Sequence, residues 1–233
     1  MTKLGWGAVV QGAPTDLDDW AYTLKEQFDP WVEIHGDQTV LRSAAFDELT
    51  SGDDVRDRAV ALIERLNGIV ALSQNAGPLR FGNSIVKFGQ NGRMDCTMFL
   101  VGASAARGKA RGVGVAIGPD GHPIPQLPQP SEVQRWAAIA EGDDLLDDAL
   151  IFFGKGADWF DIYKTLECLY KRAGGEHEFL ALNWEPENEI KRLRVTANWF
   201  RHARHKNDRL ENQMTQSDAR ALLGQLLQRA LRP

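Results

Sequence analysis

The chain has 233 residues, 43% of them hydrophobic and 25% charged, which is enough to bury one large core or two small ones and matches the composition of an ordinary globular protein. Lys and Arg total 27 against 32 Asp and Glu, a formal charge of −5 that excludes a surface basic throughout, such as a nucleic-acid or anionic-membrane mat would need. A local basic patch stays open.

In chain order, residues 16–28 place Leu17, Trp20, Ala21 and Leu24 at helical spacing, with Thr15 or Asp16 as N-cap and Pro30 as a stop. Residues 31–35 and 39–42 alternate apolar and polar around Gly36-Asp37, which predicts a hairpin. Asp53 or Asp54 then caps a helix in which Val55, Ala59, Leu62, Ile63, Leu66, Ile69 and Val70 repeat at three and four residues. Three β-like runs follow at 79–88, 93–101 and 110–117, the first two joined through Asn91-Gly92, so that a β-meander packed on the helix is expected. Residues 119–130 hold five of the ten prolines, and so many fixed φ angles predict a stiff extended joint.

Beyond this joint the periodicity is helical. Helices are predicted from Ser131-Glu132, over 144–153, over 158–172 with Trp159, Ile162, Tyr163, Leu166, Leu169 and Tyr170 as its apolar stripe, over 187–205, and after the Thr215–Asp218 capping box. Gly174 and Gly175 end the third of these. The fold class expected is α+β: a helix-plus-antiparallel-meander domain over 1–122, a proline-rich linker over 123–130 and an all-α bundle over 131–233.

No P-loop, H-E-x-x-H, G-x-S-x-G or paired C-x-x-C motif is present. The glycines of 107–118 lack the order of a phosphate loop and read as a hairpin, and Trp20, Trp159 and Trp199 read as core. Cys96 and Cys168 form no metal or redox spacing and read as buried free thiols of a reducing compartment. Neither a secretory leader nor an apolar run of about 18 residues is seen, so a cytoplasmic protein without membrane partners is expected.

One helix concentrates polar chemistry. At about 100° per residue, Arg194, Asn198, Arg201, His202 and His205 fall on one face, opposite Leu193, Val195, Ala197, Trp199, Phe200 and Ala203. From 189 to 209 there are seven Lys or Arg against two acids. Guanidinium groups offer paired donors matched to phosphate oxygens, and imidazoles as a class titrate near neutral pH. The opposing reading is internal neutralisation: 141–161 contains seven acids against Lys155 alone, and Asp161 or Glu167 is placed to meet Arg194 or Arg201. His202 and His205 share a face as a metal pair would, yet lack a partner motif and are flanked by Arg201 and Arg204, so no metal is expected. Glu176-His177-Glu178 reads as a turn and helix start, and no cofactor is expected.

The helix carrying Tyr163, Lys164 and Glu167, followed by one carrying Asn198, Arg201 and His202, resembles HEPN domains, helical modules of bacterial defence and of RNA-cleaving toxins. That family's arginine and histidine are separated by four to six residues. Here seven separate Arg194 from His202 and three separate Arg201 from His205. The resemblance implies RNA or nucleotide-phosphate binding with metal-independent ribonuclease activity: His202 or His205 as general acid or base, Arg194 or Arg201 stabilising the phosphorane, Asn198 orienting, and Asp161, Lys164 and Glu167 in support. It also implies a homodimer with facing sites. HEPN-like domains without the catalytic pair imply the alternative, a non-enzymatic protein-interaction or scaffold module. The whole layout, with Leu66-Asn67-Gly68 and the segments TAN and RHAR, is also similar to uncharacterised bacterial proteins, some labelled methylamine-utilisation accessory proteins.

Overall fold

The structure, a computed structural model, describes residues 5–89, 94–98, 127–156, 158–202 and 212–232. The protein is α+β: among the described residues there is a five-stranded antiparallel sheet, and helices carry most of the others. It divides into two compact units, one of residues 1–59 with 79–134 and the other of 60–78 with 135–233. The sequence reading set its boundary at the proline-rich joint, whereas these contacts group 60–78 with the C-terminal helices.

In the first unit, β1 (Gly5–Gln11) is followed by α1 (Pro14–Thr23), the hairpin β2 (Trp31–His35) and β3 (Gln38–Arg42), the short α2 (Ala44–Asp47) and the start of α3 (Gly52–Gln74). The strands β4 (Arg80–Phe88) and β5 (Met94–Met98) complete the sheet, in the order β2-β3-β1-β4-β5. The first two strands of the expected meander, β4 and β5, pair antiparallel, and β1, unanticipated from the sequence, joins them to the β2–β3 hairpin as the middle strand of the five described. Gly5 and Gly7 break its apolar alternation, which is why it escapes a pattern search, and packing explains Gly7: a Cβ there would collide with Val40 Cγ1 at 2.5 Å and Arg42 Cδ at 2.8 Å. The predicted 110–117 strand, the Asn91-Gly92 turn and residues 119–126 of the joint lie outside the described residues.

Two cap assignments are also corrected. Helix α1 begins at Pro14, whose missing N–H costs nothing at that position, and has no side-chain cap; it ends at Thr23, ahead of Pro30. The hydroxyl of Ser51, not Asp53 or Asp54, accepts the Asp54 N–H at 3.1 Å and opens α3. The predicted stripe of α3 is buried from Val55 to Val70 except for Leu62, which is half-buried.

The second unit takes most of α3, most of α4 (Glu132–Glu141), and α5 (Asp144–Lys155), α6 (Trp159–Ala173), α7 (Glu176–Ala181), α8 (Glu187–Arg201) and α9 (Gln216–Ala230). Helix α6 is central, in contact with α5, α7, α8 and α9. Asp158 caps its start, accepting from the Phe160 N–H at 2.6 Å, and left-handed Gly174 (φ +97°) ends it. Cys168 is buried on it, and burial pushes that thiol's pKa up; Cys96, expected to be buried, is exposed on β5. Among the described residues no helix is long and apolar enough to cross a membrane.

Candidate functional site

Helix α8 carries acidic Glu187 and Glu189 in its first turn, which suits the partial positive charge there. Its buried residues Ile190, Leu193, Thr196 and Ala197 form the seam toward the bundle, and Thr196 Oγ1 accepts the Met214 N–H at 3.1 Å. Val195, assigned to that seam by the sequence, is 46% exposed; at about 200° from Leu193 it lies nearer the polar side than the buried arc. Arg194, Asn198 and Arg201, four and three residues apart, share the outer stripe as expected.

The helix stops at Arg201, not at 205. His202 is already extended (φ −95°, ψ 157°) and exposed, and His205 lies outside the described residues. The five-residue face therefore reduces to Arg194, Asn198 and Arg201 on the helix with His202 at its end.

These residues serve two neighbourhoods. At the C-terminal end of α8, the Arg201 guanidinium carbon sits 3.6 Å from the centre of the Tyr163 ring, and Arg201 Nε donates to Asn198 Oδ1 at 3.1 Å. Among the described residues no carboxylate lies within ion-pair distance of Arg201. Trp159, one turn before Tyr163, stacks on Phe200 with centroids 4.9 Å apart and planes 7° from parallel. Nearby, Lys164 Nζ is 2.6 Å and Lys171 Nζ 3.7 Å from Glu167. The Lys164 hydrogen bond, then the charges of Lys164, Lys171 and Arg201, hold the Glu167 carboxyl below its ordinary pKa against the effect of burial. Asp161 moves the other way, raised by burial and by Asp158, with Lys155 offsetting part of it.

At the middle of α8, Arg194 Nη1 is 2.6 Å from Glu176 Oε2. The expected partners Asp161 and Glu167 are thus replaced by an acid from the start of α7. Lys191 pairs with Glu187; Arg192 pairs with Glu189 at 3.3 Å and also donates to the Asn212 and Gln213 carbonyls. Two acids of the segment 141–161 are engaged elsewhere, Asp143 on Arg172 and Asp147 on Arg65, each at 2.5 Å. Among the described residues no group of three or more His, Cys, Asp and Glu is arranged to hold a metal ion.

Tyr163, Trp159 and Phe200 complete the Arg201 neighbourhood and were absent from the sequence-derived site. The i, i+4 spacing of Trp159 and Tyr163 was the available signal, and it reads equally well as core.

A second polar cluster, in the sheet unit, was missed outright. Arg42 is fully buried, its guanidinium carbon 5.2 Å from the Trp31 ring centre and 4.4 Å from that of Phe88. It donates to the Trp6 carbonyl at 2.8 Å and to Glu33 Oε1 at 3.1 Å. Glu33 also accepts from Trp31 Nε1 and His35 Nε2, both at 2.8 Å. Burial raises the Glu33 pKa, but these hydrogen bonds and the charges of Arg42 and His35 outweigh it and leave the carboxyl below its ordinary value. His35 and Phe88, on strands separated by β3 and β1, have ring centres 4.9 Å apart, so the sheet is strongly coiled on this face. Every charged member is satisfied by another, which makes the cluster a tie across the coiled sheet.

No protein-family model, no curated protein and no solved structure matches the chain.

Proposed function

We propose that the helical unit binds a phosphate-bearing ligand, RNA foremost, through Arg201, Asn198 and His202, as a HEPN-like module. The observation that carries this reading is the state of Arg201: its flat face rests on Tyr163, Asn198 takes its Nε edge, and no described carboxylate lies within ion-pair distance of it, Glu167 feeling its charge only from farther away. Its terminal nitrogens are the end of the guanidinium that matches two phosphate oxygens. In the catalytic form of the reading, the 2′-oxygen bonds to phosphorus as the 5′-oxygen leaves, His202 carries the 2′-hydroxyl proton to that leaving oxygen, and Arg201 stabilises the charge gathering on the non-bridging phosphorane oxygens. Arg194, held by Glu176, is a structural residue in this reading. Facing sites in a homodimer follow from the HEPN likeness.

The ion pairs of Lys191, Arg192 and Arg194 with Glu187, Glu189 and Glu176 favour a second reading, a protein-interaction module whose basic helix is largely neutralised. Labelled mixed-sequence RNA in EDTA, with wild type, Arg201→Ala and His202→Ala, separates the two. RNA binding weakened about 10-fold or more by Arg201→Ala supports the phosphate site. Cleavage lost in folded His202→Ala with binding retained supports the ribonuclease form. Wild-type protein that neither binds nor cleaves RNA removes both and leaves the interaction module.

A further inference from the structure

At the opposite end of α6 from Tyr163, nine residues or about 13 Å along the helix, a cleft of about 380 Å³ opens between Asp143, Leu169, Arg172, Ala173, Phe179, Leu182 and Trp184. That volume lies in the range of small-molecule sites. Its apolar wall is formed by Leu169, Phe179, Leu182 and Trp184, with the Phe179 and Trp184 rings edge to face at 5.5 Å. Phe179 is buried and Trp184 half-buried, while Leu182 is 45% exposed, so apolar surface beside the cleft remains in water.

The polar inventory of the cleft is one-sided. Asp143 is engaged at both oxygens: Oδ1 accepts the Leu146 N–H at 3.0 Å as the cap of α5, and Oδ2 accepts Arg172 Nε at 2.5 Å. Arg172 is thereby held by its Nε edge, and its Nη1 and Nη2 end makes no hydrogen bond among the described residues. What the cleft offers a ligand is an apolar wall in which the Phe179 and Trp184 rings stand edge to face, and the Nη end of Arg172, fixed in place by the Asp143 carboxylate that caps α5. The paired donors of a guanidinium match two coplanar oxygens.

We infer that this cleft is a binding site for a small aromatic monocarboxylate, with the ring against Phe179 and Trp184 and the carboxylate on the Nη end of Arg172. The inference stands apart from the RNA reading, which uses the other end of α6.

The test is an NMR titration of the full chain with benzoate and with benzyl alcohol, an uncharged analogue that lacks the carboxylate, following the Trp184 indole N–H, assigned by its disappearance in Trp184→Phe. Benzoate is expected to give a saturable shift and benzyl alcohol one at least about 10-fold weaker, because only the former makes the charge-assisted pair. Arg172→Gln removes that preference while leaving benzyl alcohol binding within about 2-fold. Ala173→Leu, which leaves the ion pair intact, fills the cleft and removes both signals, so the inference remains testable if Arg172→Gln unfolds. No saturable benzoate shift in the wild type overturns the site. Equal binding of the two probes by wild type overturns the assignment of a carboxylate ligand.

Discussion

Arg42 is a charge placed where water does not reach, and its surroundings explain how the sheet unit tolerates it. Two aromatic faces and two acceptors replace its hydration, and Gly7 leaves the room in which its side chain crosses the sheet. Removing one member of a buried pair leaves the other uncompensated, so Arg42→Ala or Glu33→Leu is expected to cost about 3–5 kcal/mol in denaturant unfolding. The double variant Arg42→Met with Glu33→Leu is expected to recover much of that loss, since no unpaired charge remains. A double variant as unstable as the sum of the singles would contradict this account. The pair also sets a pH dependence. Glu33 has its folded pKa below its ordinary value of 4.5, so its contribution is complete above that value and fades as pH falls through the folded pKa. The stability gap between wild type and Glu33→Gln should therefore be widest near neutrality and close in acid, as read from urea midpoints across pH 2 to 7, a range chosen to span about two units either side of a carboxylate titration.

At the scale of elements, glycines mark where helices approach most closely. A Cβ on Gly68 of α3 would overlap the Leu150 carbonyl of α5, and one on Gly154 would lie 2.6 Å from the Gly68 nitrogen. Both obstacles are backbone, which cannot turn aside. Gly68→Ala is therefore expected to destabilise by about 2 kcal/mol or more despite the helix propensity it gains. Gly224 of α9 is the contrast: a Cβ there meets only Leu72 Cδ1 at 3.4 Å and Phe153 Cζ at 3.8 Å, so Gly224→Ala is expected to be neutral or to stabilise by up to about 1 kcal/mol. Thermal unfolding of the two variants, shifted in opposite directions or with only Gly68→Ala impaired, checks the assignment. The sequence made the long elements legible, because α3, α6 and α9 carry unbroken apolar stripes and the β2–β3 hairpin carries a glycine turn that the structure places at φ +60°. It did not make β1 legible, since Gly7, which admits Arg42, and Gly5, which lies against Asp47, erase the alternation by which a strand is recognised. The end of α8 was misplaced by four residues, for no proline or glycine marks it.

At the scale of the whole molecule, the candidate site was legible as a stripe and not as a set of partners. Helical spacing alone puts Arg194, Asn198 and Arg201 on one face, but which acid meets which arginine depends on contacts distant in sequence. Glu176 opens α7, as a turn-and-helix-start reading has it, and also holds Arg194, while Asp147 and Asp143 of the acidic segment meet Arg65 and Arg172. The same redistribution limits how phosphate binding must behave. With Lys191, Arg192 and Arg194 already paired, the described part of α8 offers a nucleic-acid backbone the charge of Arg201. The salt dependence expected under the RNA reading is accordingly shallow. Each neutralised phosphate of a single strand contributes about −0.7 to the slope of log K against log salt, so engagement of one to three phosphates gives a total of about −0.7 to −2. Arg201→Ala should flatten that slope by about 0.7, whereas Arg194→Ala should leave it unchanged and lower stability instead, because its charge is already spent on Glu176. Fluorescence anisotropy over a series of salt concentrations reads both slopes. If Arg194→Ala flattens the line as much as Arg201→Ala does, the division of the stripe into a structural end and a binding end is wrong.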